Sequence, residues 1–161
     1  MRRLVRVVGQ SMTPTFRSSD LLVTRLPGPA GLRRGDAAVL HHGGLRMIKR
    51  VVGMPGDLVE LEAGRLRVNG VPVDGQRRVA GAYTQTWRVP ARHYFVAGDN
   101  PAASDDSRVW DEPFVPVASV EALVTRRLGL PRRIARGTEI PRGATDDLRP
   151  RRPVAAADRA A

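Results

Sequence analysis

Apolar residues in this chain come in short runs, each cut off by glycine, proline or a polar pair. Leu4 to Val8 is rich in β-branched residues and predicts a strand that Gly9 ends. Gln10 to Thr15 contains Pro14, which cannot donate to a ladder, and predicts a loop or strand end. Ser18-Ser19-Asp20 predicts a turn, and Leu21 to Leu26 a second strand. Pro27 to Gly35 reads as loop. Ala37 to His42 and the stretch from Leu45 onward flank Gly43-Gly44, which predicts a hairpin. Met54-Pro55-Gly56-Asp57 is a further turn. Leu58 to Glu62 and Arg65 to Val68 are strands around Ala63-Gly64. Asn69-Gly70 is a strong hairpin signal of type I′, returning as Val71 to Val73. Between Asp74 and Arg92 the pattern is weak, an irregular excursion or one or two poor strands. His93 to Ala97 predicts a buried strand and Gly98 to Asp111 a polar loop. Phe114 to Val117 and Val120 to Leu128 complete the strands. Helical periodicity is scarce, so the fold class is all-β: a compact antiparallel barrel or coil of sheets.

The composition changes beyond residue 130. Residues 131–161 hold eight arginines, four prolines and few large apolar side chains. Such a segment cannot offset its ordering entropy, which predicts one folded domain over 1–130 and a disordered basic tail over 131–161. There is no cysteine, which excludes a disulfide framework, a zinc–thiolate site and a cysteine nucleophile. No apolar run approaches the length of a transmembrane helix, and Met1-Arg2-Arg3 lacks the apolar core of a secretory signal. The chain as written is expected on the side where it is made, cytoplasmic or peripheral to a membrane. Its formal net charge of +11 fits a polyanion or an anionic lipid surface.

One basic residue stands apart. Of 27 lysines and arginines, 26 are arginine, and the sole lysine is Lys49. A guanidinium keeps its proton in a protein, whereas a buried ammonium can lose it. Alternation puts Leu45, Met47, Lys49 and Val51 on one strand face, so Lys49 falls in an apolar row. Burial there would lower its pKa toward that of a working general base. The alternative from this stretch alone is a lysine whose head snorkels to water.

Two further segments bear on Lys49. Ser11 sits in Gly-x-Ser-Met-x-Pro after the first strand, and Gly98-Asp99-Asn100 leads to Ser104, Asp106, Ser107 and Arg108. Each alone reads as an ordinary polar loop. Together they permit a mechanism in which a neutral lysine activates a serine hydroxyl, a second hydroxyl holds the amine, and an Asp–Arg pair fixes the loop.

These segments resemble four boxes of the type I signal peptidases, serine proteases with a Ser–Lys dyad. Ser11-Met12-x-Pro14-Thr15 resembles the nucleophile box and Arg34-Gly35-Asp36 the second box. Lys49 to Asp57, Lys-Arg-Val-Val-Gly-Met-Pro-Gly-Asp, is similar to the general-base box, and Gly98 to Arg108 to the last. The resemblance covers about Val7 to Leu128. It implies a barrel of the signal-peptidase and LexA type, with Ser11 as nucleophile and Lys49 as base. It further implies that Ser104 orients the lysine, that Asp106 and Arg108 form a structural ion pair, and that the Ser11 N–H serves the oxyanion. No metal or cofactor is implied. The implied substrate is a peptide or preprotein with small residues before the cut, in the Ala-x-Ala manner.

Family members normally carry membrane anchors before the serine box, whereas ten residues precede Ser11 here. Some use a hydroxyl two residues before the nucleophile, where this chain has Gly9. The segment from Val73 to Arg92 is short beside the β insertion of many members. Short relatives without anchors point to a second reading, a dedicated maturation protease of the nickel superoxide dismutase type. A rival from another class is a non-enzymatic basic β-module that binds nucleic acid or anionic membrane through the tail. Specific nucleic-acid binding is not expected, because the chain has only seven aromatic residues, most of them core-like. Peripheral membrane contact through the tail is. A histidine triad built on His41, His42 or His93 has no spacing to support it.

Overall fold

Two-residue turns at Gly43-Gly44, Ala63-Gly64 and Asn69-Gly70 join three pairs of neighbouring runs, and such turns suit antiparallel strands. The computed structural model describes residues 1–73 and 84–129, which contain eleven strands and no α-helix. In chain order these are β1 (Arg2–Arg6), β2 (Leu21–Arg25), β3 (Ala37–His42), β4 (Leu45–Gly53), β5 (Leu58–Glu62) and β6 (Arg65–Val68). They continue with β7 (Val71–Pro72), β8 (Gln85–Arg88), β9 (His93–Ala97), β10 (Phe114–Pro116) and β11 (Val120–Leu128). The all-β class is as the pattern predicts. The described part of the weak stretch, from residue 84, holds the strand β8, and residues 74–83 lie outside the described residues. So does the predicted basic tail.

The strands make two antiparallel sheets. The larger runs β1-β2-β11-β3-β4-β9-β10, and the smaller β7-β6-β5-β8. The tight turns carry the backbone that two-residue hairpins require: Gly43 and Gly44 have φ of 55° and 76°, and Asn69 and Gly70 52° and 79°.

Strand β4 is the hinge of the layout. Its nine residues pair with β3 from Leu45 to Arg50, and with β9 from Arg50 onward. Its C-terminal end packs against the small sheet, where Val52, Val59, Leu61, Leu66, Trp87 and Phe95 form one buried cluster. The sheets close tightly at Gly53. A Cβ there would fall 2.6 Å from Val59 Cγ2 and 2.9 Å from Phe95 Cβ. A second cluster joins Val7, Met12, Phe16, Leu22 and Ala37, and ties the loop after β1 to the sheet. Burial of Met12 and Phe16 seats that loop, and with it the residue between Gln10 and Met12.

Candidate active site

Lys49 lies in the middle of β4, opposite Ala38 of β3. Its neighbours at alternate positions, Met47 and Val51, pack into the core cluster of Leu40, Tyr94 and Val96. The row is apolar as alternation predicts, and Lys49 is only 4% exposed. A snorkelling lysine does not fit that burial. Desolvation is the main reason its pKa falls below the ordinary lysine value of 10.5. The Arg108 charge lowers it further, while Asp106 and Asp105 oppose the fall.

The amine has one hydrogen-bond partner among the described residues. Nζ donates to Ser104 Oγ at 3.0 Å. Ser104 Oγ in turn donates to Asp106 Oδ2 at 2.5 Å. A serine hydroxyl has one proton, and here Asp106 takes it, so Ser104 meets Lys49 only as an acceptor. A neutral lysine bonded this way spends an N–H on Ser104 and keeps its lone pair for another group.

Asp106 is held so that it can play this part. It is fully buried and takes a forked pair from Arg108, Nε to Oδ1 at 2.8 Å and Nη2 to Oδ2 at 2.6 Å. The Gly98 N–H adds a third donor at 2.8 Å. Arg108 Nη2 also reaches the Gly98 carbonyl at 3.2 Å. Breaking one member of a buried pair like this leaves an uncompensated charge and costs several kcal/mol, about 3–5. Ser107, also buried, bonds the Val96 N–H through Oγ at 2.9 Å and pins the loop to β9.

Gly98 is where the two loops meet. A Cβ at this position would run into Ser104 Oγ, and would lie 2.5 Å from the Ser11 carbonyl and 2.6 Å from Ser104 Cβ. The backbone of Ser11 and the side chain that holds Lys49 therefore crowd the same point, the place a side chain at Gly98 would fill. Asn100 secures the approach. Its N–H donates to the Ser11 carbonyl at 2.9 Å, and its amide donates to Gln10 O and Thr13 Oγ1. Ser11 itself is half-buried, and among the described residues neither its hydroxyl nor its N–H has a hydrogen-bond partner.

Ser11 opens onto a cleft of about 230 Å³ walled by Val5, Val7, Met12, Val39, Met47 and Ile48. Two strand edges border it. Among the described residues β1 ends the large sheet and pairs only with β2, and β4 before Arg50 pairs only with β3. The three histidines lie elsewhere, around a shallow groove with Asp111 and Glu112 that does not include Ser11. No cluster of metal-ligating side chains occurs among the described residues.

A second ion pair joins the same loops and was not anticipated from the residues. Arg50 Nε and Nη2 fork onto Asp99 at 2.7 and 2.5 Å, and Nη1 reaches the Gly35 carbonyl at 2.7 Å. Thr15 Oγ1 donates to Asp99 at 2.6 Å. One carboxylate thus gathers the serine loop, the strand after Lys49 and the last loop. Arg34 likewise bonds Asp57 at 2.6 Å, linking the second box to the end of the lysine box. The only signal in the sequence was that Thr15, Arg50 and Asp99 fall inside motifs; their mutual contact spans 84 residues.

The family model described as signal peptidase, peptidase S26 matches residues 2–128, and the chain belongs to that family. It is 37% identical over 121 residues to signal peptidase I of Bacillus caldolyticus, covering 63% of this chain and 66% of that one. With signal peptidase I S of Bacillus subtilis (strain 168) it shares 32% over 117 residues, covering 63% and 64%. With signal peptidase I of Pseudomonas fluorescens it shares 33% over 120 residues, covering 52% and 42%. The chain therefore spans less than two thirds of these relatives' length. A solved signal peptidase I from Enterococcus faecalis V583 aligns with a TM-score of 0.49 at 33% identity, covering 63% of this chain and all of that one. Among the described residues no helix is long and apolar enough to cross a membrane.

Proposed function

We propose that the chain is a serine endopeptidase that cleaves signal or leader peptides from preproteins, with Ser11 as nucleophile and Lys49 as general base. The observation that carries this reading is the buried amine of Lys49. It is held through Ser104 on the Asp106–Arg108 pair, and the Ser104 side chain shares the Cβ space of Gly98 with the Ser11 carbonyl. Burial favours the neutral amine, which is the form that can take a proton.

In the first step neutral Lys49 accepts the Ser11 Oγ proton as that oxygen attacks the scissile carbonyl. The tetrahedral oxyanion accepts a hydrogen bond from the unengaged Ser11 N–H. The resulting ammonium, stabilised by Asp106 and Asp105, then protonates the leaving amine. Water repeats the cycle on the acyl-enzyme. Ser104 keeps the lysine aimed; the Asp106–Arg108 pair fixes Ser104 and also acts on the amine through its charges.

The cleft supports the substrate class. An extended peptide can add to the free edges of β1 and of the first half of β4. The cleft, about 230 Å³ and walled mainly by apolar side chains, suits a short uncharged stretch of peptide near the cut.

The test is cleavage of a synthetic peptide with an Ala-x-Ala sequence, read by mass spectrometry. Ser11→Ala and Lys49→Met should each remove cleavage while circular dichroism shows the fold retained and Tm does not fall below that of the parent chain. Full turnover by either folded variant would refute the assignment.

A further inference from the structure

Most of the cleft wall is apolar, but two cations open onto it, Arg6 and Arg46, and no other charged residue lines it. They flank it from both sides. Arg6 belongs to the free edge strand β1, and Arg46 to the half of β4 that lacks a partner on the β9 side.

The two arginines are held differently. Arg46 Nε and Nη2 fork onto Glu121 at 2.7 and 2.9 Å, and His41 Nε2 lies 3.2 Å from the same carboxylate. The fork fixes the guanidinium plane and leaves the two Nη1 hydrogens without an acceptor among the described residues. Arg6 is exposed, and among the described residues its guanidinium bonds one neutral group, the Ser19 hydroxyl at 3.4 Å. No carboxylate among the described residues pairs with it. A peptide laid along the cleft meets uncompensated positive charge on one side and an anchored donor edge on the other.

We propose that Arg6 and Arg46 are specificity-determining residues. They select peptides that carry an acidic side chain a few residues from the bond cut, and reject those with lysine or arginine there. The inference rests on reading the cleft as the peptide site. Arg46 is three residues along β4 from Lys49, roughly 10 Å, which corresponds to about three residues of an extended peptide. Attraction for one peptide and repulsion of the other both enter the selectivity ratio. An exposed charge pair is worth up to about fivefold, so a glutamate-to-lysine exchange beside the two arginines should change affinity about tenfold.

Binding and cleavage are measured separately. The Ser11→Ala chain is titrated by fluorescence anisotropy with labelled peptides that share an Ala-x-Ala core. They differ only in Glu, Gln or Lys at the third residue from the cut, placed on either side. The expected order is Glu, then Gln, then Lys, with about tenfold between the extremes at low salt and less as salt rises. Arg6→Glu in this background erases or inverts the order, and Arg46→Gln narrows it. Arg6→Lys keeps it. Arg65→Glu makes the same change of net charge on β6 of the smaller sheet and leaves the order alone. Equal binding of the Glu and Lys peptides overturns the proposal, as does an effect of Arg65→Glu as large as that of Arg6→Glu. Cleavage of the Gln peptide by the unsubstituted chain is scored independently. Its absence counts against the protease reading, while the binding ratio still decides the role of the two arginines.

Discussion

At the scale of the residue, the site depends on two atoms that a side chain would displace or a charge would flood. Gly98 is the first case. Its missing Cβ is the space in which the Ser11 carbonyl and the Ser104 side chain approach each other. The Ser11 contact is backbone and cannot swing aside, so Gly98→Ala should push the serine loop from the lysine. Cleavage should fall by at least a hundredfold, since a misplacement of about 1 Å can cost that much. Overpacking of about 1–3 kcal/mol should lower Tm as well, so kcat is measured against KM on the Ala-x-Ala peptide well below the variant's Tm.

Lys49 is the second case. Its folded pKa is lowered, mainly by burial. The unfolded chain therefore binds more protons than the folded chain between the two pKa values, and stability rises with pH across that window. At neutral pH the buried amine is a cost to the fold. Lys49→Met keeps the length of the side chain and removes that cost. The variant should lose cleavage and gain a few degrees of Tm at pH 7, an advantage that shrinks as pH rises. The pH profile of the parent follows from the same shift: kcat/KM should climb through an apparent pKa below 10.5, as the amine becomes neutral. A Tm for Lys49→Met well below the parent's would contradict the burial argument.

Among the elements, β4 does most of the organising, because it belongs to the large sheet over its whole length and touches the small one at its end. The pattern of Leu45 to Gly53 was legible as a strand, and Gly43-Gly44 as its turn, because both are local properties of backbone and side-chain alternation. What was not legible is the partner change at Arg50, where pairing with β3 gives way to pairing with β9. That exchange leaves the β4 edge free before Lys49 and closes it afterward. Gly53 follows from the same crowding. Gly53→Ala would place a methyl against Val59 and Phe95 in a packed junction, and overpacking of this kind costs about 1–3 kcal/mol. The expected result in urea is a lower midpoint with an unchanged m-value, and with cleavage retained under native conditions.

For the whole molecule, the strongly basic composition invites an anionic surface, and the basic segment past residue 130 is the natural candidate for that contact. We expect a chain ending at Pro131 to cleave the soluble peptide as the full chain does. We also expect it to bind vesicles of anionic phospholipid at least tenfold more weakly in co-sedimentation at low salt, since each lysine or arginine near such a surface adds about 1 kcal/mol. Equal vesicle binding by the two chains would remove the tail from membrane contact and leave the arginines of the folded part to account for it.

The sequence by itself determined the all-β class, most strand limits and turns, the anomaly of one lysine among 26 arginines, and the motifs that carry the family. These are local facts, set by alternation, turn chemistry and the difference between an ammonium and a guanidinium. Only the tertiary structure decided that Lys49 is dry, that Ser104 can only accept from it, and that Asp99 collects Thr15 and Arg50 across the site. It alone set two arginines on facing edges of the cleft. Water exclusion and hydrogen-bond direction depend on which distant segments pack together, and a strand's own pattern shows which face it buries but not what it is buried against.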